Sequence, residues 1–161
     1  MPTTTTNRIE KSVLIQAPRD RVWRALSDSR EFGAWFGVNL EGEFAPGRYV
    51  PGKIASTSPD DPHEQYKDQP CDLWVEAVEP ERLFSYRWYA CEPAEGERWE
   101  DMPKTLVQFT LEDADGRTRL TIVETGFDAV PLDRRAKAVE GNTEGWGMQA
   151  ERIKRYAETA K

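Results

Sequence analysis

Residues Thr105–Thr125 read TLVQFTLEDADGRTRLTIVET, two runs rich in β-branched and aromatic residues around a turn. Val107, Phe109 and Leu111 alternate with polar neighbours in the first run, and Leu120, Ile122 and Glu124 share one face of the second. A period of two is the mark of a half-buried strand. Glu112–Gly116 (Glu-Asp-Ala-Asp-Gly) between the runs supplies the turn chemistry, so the stretch predicts an antiparallel hairpin over 105–111 and 118–125. Working outward, strands are expected at 38–44, 48–54, 72–78 and 83–89, with tight turns at Ala45-Pro46-Gly47 and Glu79-Pro80-Glu81. Ile9, Lys11, Val13 and Ile15 alternate in the same way and predict one further strand over 9–15.

Ala17-Pro18 closes that first strand. Proline suits a first helical turn, and Val22, Ala25 and Leu26 follow at helical spacing up to Asp28. A second short helix is expected over 30–36, ending at Gly37. A long C-terminal helix is expected from about Asn142, a good N-cap, to Ala160, with Trp146, Ala150, Ile153 and Ala157 forming one apolar stripe. Gly145 and Gly147 bracket Trp146, where each costs a helix about 1 kcal/mol relative to alanine. Glycines placed there call for close backbone approach or for open space.

The chain has 161 residues and 38% hydrophobic content, including six Trp, six Phe and five Tyr. That length suits one domain, expected over residues 8–161 behind a frayed tail at 1–7. A net charge of −7 without a basic cluster argues against nucleic acid and anionic membrane surfaces as partners. No run is long and apolar enough to span a membrane, and Met1–Asn7 lacks the features of a signal peptide, so a cytoplasmic protein is expected. Cys71 and Cys91 are expected to be reduced and passive. His63, the single histidine, lies in a polar loop where metal binding is not expected, and no phosphate-cradling glycine motif points to a nucleotide cofactor. No cofactor or metal is expected.

Two long connections, 55–70 and 91–104, carry most of the charge. The first holds Asp60, Asp61, Glu64 and Asp68 against Lys67, and the second holds five acids against Arg98 and Lys104. In a meander these loops fall at the same end of the sheet, so an acidic, mobile rim is expected there. Trp99 sits within the second loop, apart from the expected pocket.

Ile15-x-Ala17-Pro18, Val22-Trp23-Arg24-Ala25-Leu26-x-Asp28 and Phe32-x-x-Trp35-Phe36 resemble the Aha-type family, homologues of the C-terminal domain of the activator of the heat-shock protein 90 ATPase. Phe44-x-Pro46-Gly47, Val78-x-Pro80-x-Arg82-Leu83-x-x-Tyr86-x-Trp88, Gly116-x-Thr118-x-Leu120-Thr121, Gly126-Phe127 and Gly145-Trp146 extend the resemblance over nearly the whole chain from Ile9. It implies a stand-alone, bacterial-type member of the START-like (SRPBCC) superfamily, with the helix-grip fold of the major birch-pollen allergen. The implied class is α+β: a curved antiparallel sheet of about seven strands, two short N-terminal helices, and a long C-terminal helix enclosing a cavity. Relatives bind lipids, hormones or polyketides between sheet and helix.

The residues expected to meet a ligand are Trp35, Phe36, Phe44, Trp74, Tyr86, Trp88, Phe109, Ile122, Glu124, Trp146 and Ile153. Apolar pockets with a few placed polar groups are the usual form of a small-molecule site. Glu124 stands out, because a carboxylate within an apolar pocket suits either acid–base work or the anchoring of a ligand. Arg87 falls on the opposite face from Tyr86 and Trp88 and is expected to be exposed. The leading expectation is a binder of a small hydrophobic or amphipathic ligand, lipid-like or aromatic, existing as monomer or homodimer. A co-chaperone-like module that meets a chaperone or other protein through its surface is the second reading. A cyclase- or aromatase-type enzyme using Glu124 or Tyr86 is the third, because no preassembled acid–base pair is visible and no catalytic residue is assigned.

Overall fold

The computed structural model describes residues 7–55, 60 and 64–159. In chain order these form β1 (Arg8–Ile15), α1 (Arg19–Ser27), α2 (Ser29–Phe36), β2 (Val38–Leu40), β3 (Tyr49–Val50), β4 (Gly52–Ile54), β5 (Leu73–Glu79), β6 (Leu83–Tyr89), β7 (Lys104–Ala114), β8 (Arg117–Thr125) and α3 (Leu132–Thr159). Six strands make one antiparallel sheet in the order β1-β8-β7-β6-β5-β3, while β2 and β4 pair separately. The helix-grip arrangement follows, with α3 packed against β1, α1 and α2.

Local chemistry explains most boundaries. Asp28 caps α2, its Oδ1 accepting from the N–H groups of Arg30 (2.9 Å) and Glu31 (3.2 Å). Gly37, at φ +93°, ends that helix in the left-handed conformation a C-terminal glycine supplies. The β7–β8 hairpin turns on Asp115-Gly116, both at positive φ, so its strands run closer to the turn than alternation alone suggests. Phe84 and Tyr86 of β6, Val107 and Phe109 of β7, and Leu120 and Ile122 of β8 point to the helix side, and each is at most 1% exposed.

Three expectations need correction. The strand expected over 38–44 stops at Leu40, and the one expected over 48–54 divides in two at Pro51. Proline has no N–H for a ladder, so β3 stays with β5 at the sheet edge while β4 turns away to pair with β2. The main sheet thus has six strands, with the β2–β4 pair beside it. The C-terminal helix begins at Leu132, ten residues before Asn142, just after Pro131, whose carbonyl accepts from the Arg134 N–H at 2.9 Å. Its first turns bury little, with Ala138 and Val139 only half-covered, so they lack the apolar stripe that marks the rest. The expected tail falls outside the described residues except for Asn7, whose Oδ1 accepts from the Asp128 N–H at 2.8 Å. His63 also lies outside them.

Candidate functional site

The expected ligand contacts fall into three groups. Phe44, Tyr86, Phe109, Ile122 and Ile153 are core: each is 9% exposed or less, and Phe32 lies 5.5–6.1 Å from Phe44, Phe84, Tyr86 and Phe109, ring to ring. Trp35 ties α2 to α1, its Nε1 donating to the Ala25 carbonyl at 2.8 Å. Trp74 is elsewhere. It pairs with Arg87 across β5–β6 and therefore lies on the outer face, with the Tyr49 ring tilted against it at 5.0 Å, the Tyr89 ring edge-on at 5.3 Å and the Lys104 ammonium 4.4 Å from its ring centre. Arg87 is exposed on that face and pairs with Glu76.

Phe36, Trp88 and Trp146 border a void of about 470 Å³ beside the end of β6 and the middle of α3. Trp88 and Trp146 stack, with centroids 5.3 Å apart and planes 24° apart, and Phe36 meets both edge-on at 5.9 and 6.1 Å. Behind them sits Glu124, fully buried. Its Oε1 accepts from the Trp146 Nε1 at 2.8 Å and the Asn142 amide at 3.0 Å. Its Oε2 accepts from the Trp88 Nε1 at 2.8 Å, the Thr105 hydroxyl at 2.5 Å and the same Asn142 amide at 3.1 Å. A carboxylate has about four lone-pair sites, and four donor groups converge on this one. The arrangement is a clamp that fixes two indoles, and it leaves no oxygen site for moving a substrate proton.

The strand register makes this clamp. Tyr86, Val107 and Glu124 lie side by side across β6, β7 and β8, and Trp88 pairs with Thr105 one step along the same face. Sequence reasoning placed Glu124 and both tryptophans on this side but missed Thr105 and Asn142. Asn142 reads as a helix cap in isolation, whereas here its amide points from within α3 to Glu124. Tyr86 is fully buried close to Cys71 and Glu124; its hydroxyl has no hydrogen-bond partner among the described residues, and burial lifts its pKa well above the usual tyrosine range.

Gly141 and Gly145 of α3 line the void one helical turn apart, and a Cβ added at either would meet nothing within 4 Å. Cys71 and Cys91 are both free and both line it. Burial pushes the Cys71 thiol up to about 12 and also raises Cys91. Gln65, Tyr66 and Gln69 from the first acidic loop meet Cys91, Glu92 and Trp99 from the second around the opening, so the two loops do share one end of the sheet. The second is tethered: Arg134 of α3 grips Glu97 with two hydrogen bonds of 2.9 and 3.1 Å. That tether brings Trp99, expected outside the pocket, into its wall. Among the described residues, no three His, Cys, Asp or Glu side chains are placed to hold a metal ion. No described helix is long and apolar enough to cross a membrane.

Comparison with known proteins gives this architecture its relatives. The chain is similar in structure to protein MLL2253 from Mesorhizobium loti, at 21% identity over 96% of this chain and 98% of that one, with a TM-score of 0.72. A protein from Arthrobacter aurescens matches with a TM-score of 0.74 at 20% identity, covering 98% and 89% of the two chains. The Aha1 dimer from Colwellia psychrerythraea matches at 0.69 and 14% identity, covering 97% and 99%. No curated protein matches. Structural likeness at these identities speaks to fold alone, whereas the family model for Activator of Hsp90 ATPase homolog 1-like protein matches residues 16–158. With most of its length covered by that match, the chain belongs to the family of the activator of Hsp90 ATPase homolog 1-like proteins.

Proposed function

We propose that the protein is a single-domain binder of a small hydrophobic or amphipathic ligand, held in the void between the end of β6 and α3. The observation that carries this reading is the pair Gly141 and Gly145. Each weakens α3 by about 1 kcal/mol relative to alanine, yet neither is required by backbone crowding, since an added Cβ would meet nothing within 4 Å, at Gly141 on the exposed side of the opening and at half-buried Gly145 beside Trp146. Space kept at that cost suits an occupant. A void of about 470 Å³ with aromatic walls and few polar groups has the form of a small-molecule site. Two free cysteines fit a reducing compartment, consistent with a cytoplasmic location.

Native mass spectrometry of freshly purified protein, followed by solvent extraction, tests the proposal. The expected result is a discrete extra mass, lost on denaturation and reduced in Gly145→Leu, whose side chain would take up part of the void. Identical apo masses for both proteins, together with no uptake of the neutral dye Nile red by either, would overturn it. A second reading, a surface that meets a chaperone or a second copy of the chain, draws support from the family's name and from the dimer formed by the Colwellia relative. The outer aromatic group of Tyr49, Trp74 and Tyr89 is the surface that suits it. Sedimentation of a Trp74→Glu variant tests this: a dimer that persists unchanged would remove that surface from consideration.

A further inference from the structure

We propose that the occupant of this void is an organic cation, a quaternary or protonated amine carried on a hydrophobic body. This rests on the ligand-binding reading above and names the chemical class that reading leaves open. Besides Tyr89, whose ring packs on the outer face against Trp74, five aromatic residues border the void: Phe36, Tyr66, Trp88, Trp99 and Trp146. Aromatic walls alone suit any flat or greasy molecule; the sign of the surrounding charge distinguishes among them.

No lysine or arginine lines the void among the described residues, whereas Glu92 and Glu144 do, and neither has an ion-pair partner there. Of the nearby cations, Arg134 holds Glu97, Arg98 holds Glu100 and Asp101, and Lys104 lies over the outer Trp74 ring, while Arg152 donates to the carbonyl of the void-lining Phe36. The described residues of both connections at this end carry a negative balance, Asp60, Glu64 and Asp68 against Lys67 in the first and five acids against Arg98 and Lys104 in the second. A low-dielectric cleft rimmed by one sign of charge concentrates the opposite sign in its ligands.

Glu124 sharpens the preference. It occupies the N–H groups of both Trp88 and Trp146, so neither indole has a donor left for an anionic or hydrogen-bond-accepting ligand. Donation to a carboxylate also polarises each indole, enriching its ring in the electron density that attracts a cation to an aromatic face. The stacked indoles, with Phe36 edge-on, form the wall against which a cationic head would rest.

The test compares three probes of similar size on the full-length protein by quenching of tryptophan fluorescence: benzyltrimethylammonium, its neutral isostere neopentylbenzene, and benzenesulfonate. Benzyltrimethylammonium should bind about tenfold more tightly than neopentylbenzene, the range expected of a partly desolvated cation–π contact. Benzenesulfonate should bind most weakly. The preference should fall at least threefold in Glu92→Gln/Glu144→Gln, whose altered side chains are exposed and outside the core. Equal or tighter binding of either other probe, or a preference that the double variant leaves unchanged, would overturn the cation assignment while leaving the pocket in place. Absence of binding by all three probes would overturn both.

Discussion

Replacing Glu124 by glutamine is the most informative perturbation of the fold. The side chain keeps its size, but one acceptor oxygen becomes an NH2 group. If that group takes the place of Oε1 it faces the Trp146 N–H, and if it takes the place of Oε2 it faces the Trp88 N–H and the Thr105 hydroxyl. Asn142 and Thr105 can rotate to present an oxygen; an indole N–H cannot. At least one buried indole donor is therefore orphaned, at about 1–3 kcal/mol, and the charge-assisted bonds become ordinary ones. Loss of the buried charge offsets part of this, leaving a net destabilisation of about 2–4 kcal/mol. For a chain of this length that corresponds to a fall in Tm of roughly 5–15 °C. Glu124→Leu should fall further, because all four donor groups then lose their acceptor. Thermal unfolding followed by circular dichroism reads both variants. A shift below about 2 °C for Glu124→Gln, or a leucine variant more stable than the glutamine one, would refute the clamp as the source of stability.

Tyr86→Phe should raise the urea midpoint, by up to about 1 kcal/mol of stability, because it removes a buried hydroxyl without a described partner and keeps every ring contact; a lowered midpoint would mean the hydroxyl is bonded. Gly145→Ala should stabilise by about 1 kcal/mol through helix propensity, since its Cβ meets open space. Gly33→Ala should destabilise, because its Cβ would sit 2.4 Å from the Val38 carbonyl oxygen; the two variants moving in the same direction in urea would contradict this geometry. The Arg134 guanidinium and the Ala94 N–H hold the Glu97 carboxyl below its ordinary range. With the folded value lowered, the tether contributes fully above the ordinary glutamate range and is lost as pH falls through the lowered value. Protection of the Ala94 amide from hydrogen exchange should follow that course, and Arg134→Ala should reduce it at neutral pH; equal protection in both proteins would count against the tether.

Much of the architecture is determined by sequence alone, because strand alternation is a local property. The period of two in 83–89, 105–111 and 118–125 placed Tyr86, Phe109, Ile122 and Glu124 on one face and Arg87 on the other, as found. The Trp146, Ala150, Ile153, Ala157 stripe likewise located the docked half of α3. Where a backbone break competes with a weak pattern, the local reading gives way. Pro51 splits one expected strand between two pairings, and the first turns of α3 bury too little to show a period. The site itself is decided in three dimensions. Nothing near Asn142 or Thr105 in the chain announces Glu124, which lies 18 and 19 positions away, and only the register of β6, β7 and β8 under α3 brings the four donor groups together. Whether aromatic side chains fill a space or border one is equally nonlocal. Phe44 and Phe109 close the middle of the sheet, whereas the backbone of Gly141 and Gly145 leaves the end beside Trp88 and Trp146 open. Sequence specifies which side chains face inward; the volume left between them depends on how closely sheet and helix approach, which is settled by packing across the whole domain.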